Sequence, residues 1–168
     1  AGHLGHICVV PEGRLCPCGN LGCLEAYCSG TSIGKRTREA AEKGGKNAKP
    51  LAEALAQLGP DEGAGPILFE LAEQRDPLAC DLVEETLNLL AQALSSTVNI
   101  LDIRLIVLGG GAGIGLSPWF SDLEKKIADH SMPFCREGLR VRVAELGEHS
   151  LLLGTVALCR ERLGSRTD

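Results

Sequence analysis

Apolar positions recur along this chain with two periods, and the periods divide it into short strands and longer helices. After Asp76, the residues Val83, Leu87, Leu90, Leu94, Val98 and Leu101 follow one another at steps of 4, 3, 4, 4 and 3. That spacing is one face of a long helix. Asp76 and Pro77 predict its start, with aspartate as N-cap and proline at the first helical position. Leu105-Ile106-Val107-Leu108 is an unbroken apolar run, which predicts a strand buried on both faces. Leu139, Val141 and Val143 alternate with Arg140 and Arg142, which predicts a strand with one wet face.

The remaining elements are read the same way. His6 to Val10 predicts a short strand, ended by the turn residues Pro11, Glu12 and Gly13. Cys23 to Lys43 predicts helix, interrupted near Ser29-Gly30-Thr31, with Thr31 or Ser32 as the cap of the second part and Gly44-Gly45 as its end. A short helix near Leu51 to Leu58 lies between Pro- and Gly-rich loops, and Ile67 to Glu73 is also helical. Ser117-Pro118 predicts the cap of a helix reaching about His130, and Ser150 to Leu163 a final apolar helix. The order is strand, helices, strand, helix, strand, helix: an α/β fold rich in helix.

Composition narrows the function classes. The 168 residues are 44% hydrophobic and 23% charged, as in an ordinary globular domain with a real core. The formal net charge of −5 argues against a general nucleic-acid or anionic-membrane surface. The longest uncharged stretch, Leu105 to Ser121, holds five glycines and Pro118 and is no membrane span. The only methionine is Met132 and the chain opens at Ala1, so we expect a piece of a longer protein.

Five of the eight cysteines and two of the four histidines fall within residues 2–30. Disulfide-dense scaffolds are small, secreted and loop-rich, whereas this chain carries long helical patterns. The cytoplasm is the expected compartment, and there a tight cysteine cluster more often holds metal. Cys80, Cys135 and Cys159 stand singly among apolar residues and are expected to be buried. His6, Cys16, Cys18 and Cys23 stand at offsets 0, 10, 12 and 17, around the loop glycines Gly19 and Gly22. Three thiolates and one imidazole suit tetrahedral zinc. Cys8 and Cys28 compete as ligands, with core packing the preferred reading of both, and His3 is a further candidate three residues from His6.

Gly109-Gly110-Gly111 follows the buried strand and precedes a helix. Such a turn brings backbone N–H groups close to a nucleotide, or is a tight connection and nothing more. It does not match the dinucleotide fingerprint, and no P-loop lysine follows.

The run Gly5-His6, Cys16-Pro-Cys18-Gly19, Gly22-Cys23-Leu24-Glu25-Ala26-Tyr27 and Ser29-Gly30 resembles the ROK family of bacterial-type sugar kinases and sugar-responsive repressors. The resemblance continues through Asn99, Leu105 to Gly111, Leu146-Gly147-Glu148 and Leu153-Gly154, and so spans nearly the whole chain. It implies an actin/hexokinase-like (ribonuclease-H-like) fold whose two lobes close over sugar and ATP. Residues 1–168 would form most of the larger C-terminal lobe, with a zinc and sugar loop at 6–30 and a nucleotide-side glycine turn at 108–113. The N-terminal lobe would lie outside this chain.

By the same resemblance, His6, Cys16, Cys18 and Cys23 bind a structural zinc. His6 and Glu25 contact the sugar, and Gly109, Gly110 and Gly111 face ATP. The implied reaction is Mg²⁺- and ATP-dependent phosphorylation of a hexose or N-acetylhexosamine. The implied catalytic aspartate and phosphate loop belong to the N-terminal part, so no catalytic residue is assigned here and this piece alone is expected to be inactive. The family pattern has Glu-x-Gly-His where this chain has His3-Leu4-Gly5-His6, so an imidazole replaces a sugar-contacting carboxylate. A sugar-sensing repressor, with nucleic acid as partner, and a non-catalytic zinc-stabilised binding or dimerisation domain are the alternatives. The Leu-Glu-Ala-Tyr-x-Ser-Gly run leans toward kinases, and the helix from Asp76 is a candidate homodimer face.

Overall fold

A computed structural model describes residues 2–45, 47–59 and 62–164. Lys46, Pro60 and Asp61, which fall in the predicted loops, and the side chain of Glu148 lie outside the described residues. The helices are α1 (Glu25–Cys28), α2 (Gly30–Lys43), α3 (Lys49–Leu55), α4 (Gly65–Glu73), α5 (Pro77–Leu101), α6 (Gly110–Gly115), α7 (Phe120–Asp129) and α8 (Ser150–Gly164). Two strands, β1 (Leu105–Leu108) and β2 (Arg140–Val143), pair in parallel, with Leu105 opposite Arg140 and Leu108 opposite Val143. The helix-rich α/β expectation holds.

Helix α5 is the axis of the fold, and its ends are set locally. The Asp76 carboxylate accepts from the Ala79 N–H at 2.9 Å, and Pro77 needs no amide partner in the first turn. Asp102 adopts a left-handed conformation (φ 52°) and donates its N–H to Val98, which ends the helix. The predicted stripe buries Val83, Leu87, Leu94 and Val98 against α4 and α7. Leu90 is half-buried and also faces a second cluster around the cysteine loop, while Leu101 is 63% exposed beyond the core. Helix α5 is therefore a shared wall: one side backs the main core, and Leu89, Leu90 and Ala93 back the loop.

Strand β2 keeps its predicted alternation through Arg142, with Leu139 and Val141 buried and Arg140 and Arg142 in water, but Val143, expected on the buried face, is 39% exposed. Its outer edge is closed by α7, whose Glu124 carboxylate accepts from the Val141 N–H at 2.7 Å. That contact removes an open donor from the sheet edge.

Five further expectations need correction. Residues His6 to Val10 form no strand: Leu4–His6 is a 3-10 turn, followed by a single antiparallel bridge between Cys8 and Cys23. The ladder stops because its partner, Leu24, already has helical dihedrals and leads into α1. The cap of α2 is Ser29, not Thr31 or Ser32. Ser29 alone is extended (ψ 154°), so its Oγ can accept from the Ser32 N–H at 3.2 Å. Ser117 does not cap α7: its hydroxyl donates backward to Ile114, and a 3-10 turn precedes the helix. Strand β1 is covered on one face only. Leu105 and Val107 are 57% and 56% exposed, because no described element packs on that side. Cys135 is buried as expected, but Cys80 is half-buried and Cys8 and Cys159 are exposed.

Candidate functional site

The cysteine loop is folded by its own backbone. Gly13 N–H donates to Val10, Cys16 N–H to Asn20, Gly19 N–H to Cys16 and Gly22 N–H to Arg14, all between 2.8 and 3.0 Å. Gly22 is obligatory twice over. It sits at φ 76°, and a Cβ there would collide with the Val10 carbonyl. Val9 and Val10 both donate their N–H to the Gly22 carbonyl, which binds the two halves of the loop together.

Tyr27 of α1 anchors the loop to the helices. Its hydroxyl accepts from the Arg14 N–H at 2.8 Å. The Arg14 guanidinium makes a two-bond contact with Glu39 on α2. Arg36, also on α2, is buried and donates to the Tyr27 carbonyl and to Thr86 Oγ1, each at 3.0 Å, and to Glu85 at 2.6 Å. Loop, α1, α2 and α5 are thus locked into one body.

This scaffold brings His6, Cys16, Cys18 and Cys23 together. One ligand atom from each lies within 4.8 Å of all the others. The Cys18 and Cys23 sulfurs are 3.6 Å apart, and His6 Nδ1 is 3.7 Å from the Cys16 sulfur. Bond lengths of about 2.3 Å to sulfur and 2.0 Å to nitrogen give a zinc tetrahedron edges of about 3.5–3.8 Å. The donor set and these edges fit zinc. Cys16 and Cys23 are buried and Cys18 is exposed. Burial pushes the Cys23 thiol up to about 12, and the Cys18 and Cys16 sulfurs add to the shift. The Asn20 backbone N–H, with smaller help from Cys16 and Cys23, pulls Cys18 down. A bound cation would deprotonate both thiols.

The structure sorts the competing ligands. Cys28 is a core thiol: it donates to the Thr86 carbonyl at 3.8 Å, and burial pushes it up to about 12. Neither Cys8 nor His3 belongs to the four-atom group. The His3 ring lies 5.8 Å from the His6 ring, tilted by 37°.

On its other side His6 turns outward. Its Nε2 is 3.7 Å from Glu25 Oε2, with the two side chains 35% and 43% exposed. Glu25 opens α1 and Ser29 follows its end, so a single helical turn joins this pair to a second feature. That feature is a cleft of about 460 Å³, lined by Ser29, Gly30, Ile33, Phe69, Gly110 and Gly111 among others. The predicted glycine turn forms one wall. The opposite wall, from the starts of α2 and α4, was not anticipated, although the Ser29-Gly30 and Gly65-Pro66 pairs are the kind of helix-start signal that would have marked it.

The glycines at the cleft differ in what holds them. A Cβ at Gly113 would press on the Leu108 backbone, and one at Gly115 would collide with the Phe69 ring. A Cβ at Gly30 or Gly111 would meet nothing within 4 Å, and neither position has positive φ.

These features define a helix-rich α/β protein with a Cys₃His cluster beside a glycine-walled cleft. The chain matches the ROK family over residues 1–162 and belongs to that family. It is 32% identical over 161 residues to the glucokinase of Thermotoga maritima, an alignment covering 96% of this chain and 50% of that enzyme. It is also similar to the crystal structure of a ROK family glucokinase from Streptomyces griseus in complex with glucose and AMPPNP. That similarity has a TM-score of 0.67 and 29% identity, over 96% of this chain and 52% of the other. A ROK family transcriptional regulator, a homologue of the E. coli MLC protein, matches with a TM-score of 0.67 and 26% identity, over 84% of this chain and 34% of its own. The chain spans about half the length of the curated relatives it matches. Among the described residues no helix is long and apolar enough to cross a membrane.

Proposed function

We propose that the protein carrying this chain is an ATP-dependent sugar kinase of the cytoplasm, and that this chain is most of its larger, C-terminal lobe. The observation that carries the reading is the double use of His6. Its Nδ1 lies 3.7 Å from the Cys16 sulfur, and its Nε2 faces the Glu25 carboxylate.

In this reading His6, Cys16, Cys18 and Cys23 hold a structural zinc, which fixes the imidazole plane and leaves one ring N–H to donate. That N–H binds a sugar hydroxyl while Glu25 accepts from its neighbour, a donor–acceptor pair matched to vicinal hydroxyls. The sugar is a hexose or N-acetylhexosamine. ATP takes the cleft. Gly30 and Gly111 support this, because neither packing nor dihedrals require glycine there, whereas close approach of a ligand does. The sugar hydroxyl oxygen attacks the γ-phosphorus, its proton passes to a base outside this chain, the bond to the β-phosphate oxygen breaks and ADP leaves; Mg²⁺ held with the ATP would neutralise phosphate charge. Within this chain we assign positioning and binding roles and no general base.

The protein at its full natural length tests the reading. Sugar-stimulated ADP release, weakened in Glu25→Gln, is the expected result. No sugar-stimulated turnover with any hexose or N-acetylhexosamine would sink it. The likeness to a ROK regulator favours a second reading, a sugar-sensing repressor. Sugar binding coupled to DNA release, without ATP turnover, would select that one.

A further inference from the structure

Cys8 stands apart from the four-atom cluster, yet the backbone places it directly opposite one of its members. Cys8 and Cys23 are the partners of the isolated antiparallel bridge. The flanking bonds run from Val9 N–H to Gly22 and from Leu24 N–H to Ile7, at 2.8 and 2.9 Å. That pattern makes Cys8–Cys23 a non-hydrogen-bonded pair, whose Cα atoms sit about 4.5 Å apart with side chains on one face. The separation falls inside the range of about 4.4–6.8 Å that a disulfide spans. Glycine at 22 leaves the Cys8 sulfur room beside the bridge, since that sulfur lies 3.2 Å from where a Gly22 Cβ would be. Both thiols are free, Cys8 exposed and Cys23 buried.

We propose that Cys8 and Cys23 are a reversible oxidation site, closed to a disulfide by peroxides, which takes Cys23 out of the metal cluster. The metal consequence rests on the zinc reading above; the pairing does not. The Cys8 sulfur attacks the peroxide, the O–O bond breaks, and a sulfenic acid forms as one water leaves. The Cys23 sulfur then attacks the Cys8 sulfur, the S–S bond forms, the S–O bond breaks, and a second water leaves. Two thiols supply two electrons and reduce one hydrogen peroxide to two waters. A thiol reductant reverses the closure. Exposure assigns the order: the oxidant meets Cys8 first, and the buried ligand resolves it.

The test treats the full-length protein with hydrogen peroxide, blocks remaining thiols and maps the linked peptides by mass spectrometry. Zinc release is followed in parallel with a chromogenic chelator. The expected product is Cys8–Cys23, with zinc release about tenfold slower in Cys8→Ser and reversal by reductant. Cys8→Val, which keeps an apolar residue there, should behave like Cys8→Ser. A Cys18–Cys23 product, made plausible by their 3.6 Å separation, would overturn the proposal, as would release at wild-type rate in both variants. Protein that takes up no zinc yet still forms Cys8–Cys23 would support the pair and overturn the zinc reading. Metal-loaded protein that never forms it would do the reverse.

Discussion

His6 Nε2 lies 3.7 Å from Glu25 Oε2, while the opposite ring nitrogen lies 3.7 Å from the Cys16 sulfur. The imidazole is therefore the joint between a thiol cluster and a surface carboxylate. We predict that Cys16→Ser weakens sugar binding although Cys16 itself is buried away from the ligand. Freeing the ring should cost about 10- to 100-fold in affinity by calorimetry. Glu25→Gln should cost a similar factor, about 1.5–3 kcal/mol, while leaving metal content intact.

Metal analysis should return about one zinc per chain in the wild type, and much less in Cys18→Ser. Cys28→Ser, which alters a core thiol outside the cluster, should keep its zinc. The metal-free variant should also melt at lower temperature, since metal binding adds to folding free energy. Equal zinc in Cys18→Ser and wild type would refute the ligand set.

Arg36 tests how the loop is held. It is the only hydrogen-bond donor from α2 to reach the Tyr27 carbonyl and Thr86 Oγ1 among the described residues. Arg36→Met leaves that buried carbonyl without its side-chain partner and should destabilise by about 2–4 kcal/mol in denaturant titration. Arg14→Met removes a half-exposed pair and should cost less than about 1 kcal/mol.

The same Arg14 gives a pH signature. Its guanidinium holds the Glu39 carboxyl below the usual range, chiefly through their hydrogen bond. A depressed carboxylate contributes stability that is present above the unfolded value, about 4.3, and lost as pH falls through the folded one. Wild type and Arg14→Met should therefore differ at neutral pH and converge only once pH has fallen through the lowered Glu39 value, in thermal melts. A gap that stays constant with pH would remove Glu39 from the account.

Two glycines six-residue α6 shares separate packing from binding. Gly115→Ala drives a methyl into the Phe69 ring and should cost about 1–3 kcal/mol. Gly111→Ala meets open space and should leave stability unchanged or raise it by up to about 1 kcal/mol. Weaker ATP binding in Gly111→Ala alone would tie the cleft to the nucleotide.

What could be read from the residues follows from how local each signal was. Asp76-Pro77 and the stripe on α5 were legible because caps and helical period act within a few residues. That His6, Cys16, Cys18 and Cys23 would gather was legible because their residue types and spacing are rare together. The first strand was not, since a strand exists only where a partner continues, and Leu24 turns away. The buried face of β1 was miscounted because an apolar run says nothing of how many layers cover it. Arg36 was invisible: it sits among Lys35, Arg38 and Glu39, and its partners Glu85 and Thr86 are distant in sequence.

The uncovered side of β1 and the whole of α8 have a practical consequence for anyone handling this polypeptide. Leu105, Val107, Leu151, Leu152, Val156 and Leu158 all meet water. Produced by itself, the chain should behave as an amphiphile: retained on phenyl resin, brightening dyes that seek oily surfaces, and precipitating with added sulfate well before an ordinary globule of its size.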